Sequence, residues 1–221
     1  MAQKIELPTR DEVYNNFLRA YRLMGSPKSN NWYGRQKEHI REVAEFLGIS
    51  TKLLTGLVAV TSPNNGWYLQ RKDGTEKYPN LDGAIQIAVA YLRGEHMEKG
   101  IAHIGTMTRN RKKAWKMMET GKVFPHLSGQ KVIAFFQDLM DARSNSVVVD
   151  RHVIKAGINN FNATKKEIMS LSHYRDFFRE VLYELARDED IEPSGLQATI
   201  WEYAKLQSEN AVVDFVGNSI G

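Results

Sequence analysis

The chain predicts an all-α fold. Three observations lead there. Apolar residues recur three and four positions apart along most of its 221 residues. No segment alternates with period two for long enough to build a sheet. Glycine, proline and small polar residues fall at the ends of the apolar stretches. Val13, Phe17, Ala20 and Tyr21 line the apolar face of a first helix, and Ile40, Val43, Ala44 and Leu47 line a second that Gly48 ends. Ser50 is placed to cap a helix over Leu53–Thr61, which Pro63 stops, and a loop is expected from Asn64 to Asn80. Leu81–Leu92 is an apolar helix ended at Gly94. Thr108 or Asn110 starts a basic helix through Met118, with Gly121 as its stop.

Gly129 introduces an apolar helix from Lys131 to Met140, and Asp150 is the expected N-cap of Arg151–Asn159. Thr164–Leu171, Tyr174–Arg187 and Pro193–Gln207 close the chain as three helices, the last with proline in its first turn. Residues 208–221 are expected to be a flexible tail. The expected organisation is one domain over 1–207 made of two helical lobes, about 50–139 and 1–49 with 140–207. A cleft between the lobes is the natural ligand site.

Hydrophobic residues at 42% and charged residues at 25% suit a soluble globular protein with an ample core. The absence of cysteine excludes disulfides, thiolate zinc sites and iron-sulfur clusters. The six histidines lack ligand spacing, His96 and His103 being seven apart across Gly100, so no metal is expected. Met1–Pro8 has no signal pattern and no apolar run reaches the roughly 18 residues of a membrane span, so a cytoplasmic protein is expected, without membrane association. The net charge of +4 permits a polyanionic partner. Arg109-Asn110-Arg111-Lys112-Lys113 with Lys116, and Lys165-Lys166, concentrate the positive charge, while Asp188-Glu189-Asp190 gathers acid elsewhere. That asymmetry fits a one-sided phosphate-binding face; a solvated helix face is the alternative.

The residues with chemical potential are Lys131 and Asp150, nineteen positions apart. Lys131 enters a helix whose next residues are Val132, Ile133, Ala134, Phe135 and Phe136, so burial is expected to favour the neutral amine that a nucleophile must be. An ordinary surface lysine lying over the core is the alternative. Asp150 follows Val147-Val148-Val149 and could be a simple cap or a catalytic carboxylate. Trp32, Tyr33, Trp67 and Tyr68 lie in polar, loop-like contexts; Trp67 could contact a ligand or pack a lobe. Trp201, at helical spacing with Leu196 and Ala204, is expected in the core.

Taken together, Leu127-Ser128-Gly129-Gln130-Lys131-Val132 and Val149-Asp150-Arg151-His152 resemble the hairpin and aspartate element of the helix-hairpin-helix DNA glycosylases, the superfamily of endonuclease III and oxoguanine glycosylase. Leu57–Asn65 resembles the loop from which that superfamily fills the hole left by an extruded base, with Asn64 in that place, and the likeness spans roughly Ser50–Asn159. His126-Leu127-Ser128-Gly129 matches only the second of the hairpin's usual two glycines. A phage-type branch that includes the α-glutamyl/putrescinyl thymine pyrophosphorylases is more similar still, through Pro63-Asn64-Asn65-Gly66-Trp67, Ser128-Gly129-Gln130-Lys131 with Phe135-Phe136, Val149-Asp150-Arg151-His152 and Leu196-Gln197-Ala198-Thr199-Ile200-Trp201.

The resemblance implies a two-lobed glycosylase-like fold and a monomeric enzyme that binds double-stranded DNA and flips a nucleotide. It implies base excision with AP lyase activity, Lys131 attacking C1′ and Asp150 stabilising the cationic sugar, without a cofactor. Asn64, Arg109, Arg111, Lys112, Lys113, Ser128, Gly129 and Gln130 would contact DNA, and Trp67, Tyr68 and His152 are the base-pocket candidates. The phage-type branch implies instead that an amine replaces pyrophosphate on a modified thymine, in the host cytoplasm. A DNA-binding module without catalysis is the third possibility.

Overall fold

The computed structural model describes residues 6–25, 31–63, 69–70, 76–77, 79–101, 104–141 and 146–217, with side chains described outside 69–70, 76–77 and 209–217. These residues form an all-α protein. The helices are α1 (Arg10–Met24), α2 (Trp32–Leu47), α3 (Thr51–Thr61), α4 (Pro79–Leu92), α5 (Met97–Ile101), α6 (Thr108–Thr120), α7 (Gln130–Met140), α8 (Arg151–Gly157), α9 (Lys165–Leu171), α10 (Arg175–Asp188) and α11 (Pro193–Gly217). Short 3₁₀ turns lie at Phe124–His126 and Ser172–Tyr174. β1 (Leu69–Gln70) and β2 (Glu76–Lys77) pair antiparallel, Leu69 opposite Lys77, inside the stretch expected to be a loop.

The helix ends follow from local chemistry. Ser50 Oγ accepts from Leu53 N at 3.2 Å, and Thr9 and Thr164 close reciprocal capping boxes with Glu12 and Glu167. Gly121 ends α6 at φ 65°, a left-handed conformation that glycine adopts without a Cβ penalty. Two boundaries correct the sequence reading. α4 begins at Pro79, because proline is at home in a first turn. α11 runs on to Gly217 rather than ending at Gln207, since residues 208–216 contain no glycine or proline to stop it.

The chain divides into two compact units, Met1–Tyr33 with Ala142–Gly221, and Gly34–Asp141. The sequence reading drew its lobes at 49/50 and 139/140; the observed division falls within α2 and just after α7. In the first unit α1 packs on α8, α10 and α11, and α8 packs on α11. Phe17, Val153, Ile154, Phe178, Leu182, Leu185, Leu196 and Ile200 are buried at its centre. Val147, Val148 and Val149 are also buried, as extended chain leading into α8. In the second unit α3 is central, buried from Leu53 to Thr61, with α4, α6 and α7 packed around it. Gly56 lets α6 and the turn beyond it approach: a Cβ there would lie 2.7 Å from Val123 Cγ1.

Candidate nucleic-acid interface

The second unit presents a helix, a turn and a second helix at the residues singled out by sequence. α6 ends at Gly121, the 3₁₀ turn follows, and Gly129 opens α7 at φ 88°, in the range that favours glycine. No side chain caps α7, so its first turn keeps the positive end of a helix dipole facing outward beside Ser128, Gly129 and Gln130, all exposed. Lys113 Nζ donates to Ser128 Oγ, which ties the basic helix to the turn. Arg109 and Lys112 are exposed on α6, and Lys116 pairs with Glu119 at 2.6 Å. Positive charge therefore gathers on one helix and on the turn it is bonded to.

Arg111 stands apart from the exposed basic residues. Its Nη1 donates to the Ile101 and Ile104 carbonyls, each at 3.0 Å, and its Nη2 donates to Thr108 Oγ1 at 2.9 Å. The guanidinium ties the α5–α6 connection together.

Lys131 is exposed, which corrects the expectation that its apolar neighbours bury the amine. Adjacency in sequence does not place residues on one helix face. Lys131, Phe135 and Asp138 do share one, at three- and four-residue spacing, and pass from exposed to half-buried to fully buried. Asp138, at 0% exposure, is a carboxylate that the sequence reading passed over.

Asp150 belongs to the first unit, whereas Lys131 belongs to the second. Asp150 is 9% exposed and caps α8, Oδ1 accepting from His152 N at 2.8 Å and Val153 N at 3.3 Å. The sequence-expected cap is thus present, one turn from an aromatic cluster. The His152 ring meets Trp201 edge-on at 6.0 Å, Trp32 lies 6.4 Å from Trp201, and Lys205 Nζ lies 5.2 Å from the Trp201 ring centroid. Arg151 Nε donates to His152 Nε2 at 3.2 Å. Trp201 was expected in the core; it is half-buried and joins Trp32 and His152 from distant parts of the chain. Its spacing with Leu196 and Ala204 reported the helix face but not how far the indole extends beyond it.

Asn64, Trp67 and Tyr68 lie outside the described residues. Among the described residues no group of three or more histidine, aspartate or glutamate side chains is placed to hold a metal ion. Also among the described residues, no single helix is long and apolar enough to cross a membrane.

A family model described as a family of unknown function, DUF7178, matches residues 3–208. No curated protein matches the chain. No solved structure matches it either. With the family model covering nearly the whole length, the chain belongs to DUF7178, a family of unknown function.

Proposed function

We propose that this protein binds double-stranded DNA through the turn between α6 and α7 and acts as a DNA glycosylase, with AP lyase activity, on a flipped modified base. The observation that supports the reading is Gly129. Its left-handed φ opens α7 without a side-chain cap, beside Lys113 and Ser128 and one turn from the exposed Lys131. A helix N-terminus flanked by lysines is suited to a phosphate of the DNA backbone. In this account the Lys131 amine forms a bond to C1′ as the glycosidic bond breaks and the base leaves with that electron pair. Loss of the amine's protons and opening of the sugar give the Schiff base, from which elimination expels the 3′ phosphate. By the resemblance alone, Asp150 would offset the positive charge that develops on the sugar.

Base release and strand nicking on duplexes carrying single modified pyrimidines test this directly. Wild-type protein is expected to release a base and nick the strand, and Lys131→Ala to do neither while still binding. Release at an equal rate by Lys131→Ala would remove Lys131 from the chemistry.

The exposure of Lys131 favours a second reading, one in which Lys131 need form no covalent bond. There the protein is a phage-type transferase in which an amine displaces pyrophosphate from the 5-methyl carbon of a modified thymine, and the glycosidic bond survives. Nucleoside mass spectrometry of the same reactions, with an amine and pyrophosphorylated thymine in DNA, separates the two: a new aminated nucleoside and no free base.

A further inference from the structure

We propose that the turn between α6 and α7 is a stacking surface for an unpaired base in DNA, with Phe124 as the platform and Lys52 as the cation for the adjoining phosphate. The proposal rests on the DNA reading above and names a contact that reading does not contain. Phe124 opens the 3₁₀ turn and is 57% exposed, a large aromatic surface left in water. The ring is held in place. Phe136, itself buried, meets it edge-on at 5.5 Å, and Pro125 follows it in the turn. Lys52, from the first turn of α3, places Nζ 5.1 Å from the ring centroid.

Charge complementarity identifies the partner. From Gly121 to Gln137 the chain carries Lys122, His126 and Lys131 and no acidic residue, and Lys122 and Lys52 are both exposed. A fixed flat ring bordered by cations offers a base a face to stack on and its phosphates a counter-charge. A paired base keeps its faces covered by its neighbours, so the surface selects unpaired nucleotides, the state that a flipped base or its orphaned partner adopts.

The test compares full-length protein binding to an intact duplex and to the same duplex with a short single-stranded gap, by fluorescence anisotropy. Wild-type protein is expected to prefer the gapped DNA. Phe124→Ala should weaken gapped-DNA binding about 5- to 150-fold and leave intact-duplex binding unchanged. Phe124→Leu, which keeps an apolar contact with Phe136 but removes the flat ring, should behave like Phe124→Ala. Phe124→Trp should retain the preference and show indole quenching on gapped DNA alone. Equal binding of both DNAs by Phe124→Ala and wild type, or equal losses on both, would overturn the stacking role and leave the hairpin reading standing. Wild-type protein that binds neither DNA would overturn both. Loss of binding to anionic lipid vesicles by Phe124→Ala, without any effect on gapped DNA, would assign the surface to a membrane and also overturn the proposal.

Discussion

Replacing Asp150 by alanine and by asparagine separates its structural work from the chemistry proposed for it. The carboxylate caps α8 through two backbone N–H groups, both bonded to Oδ1, and it sits at the positive end of the helix. Alanine removes the acceptor and the charge together. Loss of an N-cap side chain costs about 1–2 kcal/mol. For a chain of this length each kcal/mol moves the melting midpoint by about 2–4 °C, so a fall of roughly 2–8 °C is expected. Asparagine keeps a carbonyl oxygen in the same place and ranks with aspartate as a cap, so the cap itself is kept and a charge–dipole contribution of about 0.3–1 kcal/mol is lost. Urea unfolding followed by circular dichroism measures both. The same samples then enter the base-release assay, where Asp150→Asn should be about 10²- to 10³-fold slower than wild type despite near-native stability. Equal destabilisation by the two substitutions would refute the capping argument. A wild-type rate for Asp150→Asn would refute the electrostatic one.

Other perturbations probe the frame that carries these residues. Gly157→Ala places a Cβ 2.7 Å from Phe178 Cε1 and 3.1 Å from Phe17 Cζ, two buried rings packed edge to face. Neither can retreat, and a loss of about 1–3 kcal/mol is expected by urea unfolding. Tyr33→Phe removes the buried 2.8 Å hydrogen bond to Gln197 Oε1 and strands that acceptor, at a cost of about 1–3 kcal/mol in the same measurement. Backbone hydrogen bonds from Thr9 and Thr164, chiefly, hold the Glu12 and Glu167 carboxyls below the usual glutamate value. Because those folded-state values are depressed, the boxes contribute fully above the unfolded glutamate value and are lost as pH falls through the folded one. The Glu12→Gln, Glu167→Gln double variant should therefore lose less stability than wild type on acidification, read as urea midpoints across the acid range. A parallel pH dependence in the two proteins would contradict this.

Sequence carried the helix boundaries best where one side chain decides them. Ser50, Asp150 and Thr164 cap by local hydrogen bonds, and Gly121 stops α6 through its own backbone freedom, so each was legible without tertiary information. α5 was not, because Gly100 in its last turn reads as a breaker. In the structure Gly100 is buried, where a Cβ would lie 2.7 Å from that of Ala90, and packing decides the outcome. The site divided in the same way. Gly129 as the opening of α7 follows from local chain geometry. Arg111, Lys131 and Trp201 depended on the tertiary setting of each side chain: Arg111 binds carbonyls, Lys131 is exposed, and Trp201 meets Trp32 and His152 rather than lying wholly in the core. Asp138 was invisible because a carboxylate in an apolar helix reads as a solvent-facing position until its burial is known.

Borohydride trapping on duplex DNA containing an abasic site tests the central claim most directly. The reductant converts a Schiff base between protein and sugar into a stable amine, and peptide mapping locates the modified residue. The account predicts one adduct, on Lys131, that disappears in Lys131→Ala while binding to the duplex persists. No adduct from protein that binds the abasic duplex, or an adduct mapped to a different lysine, would contradict it.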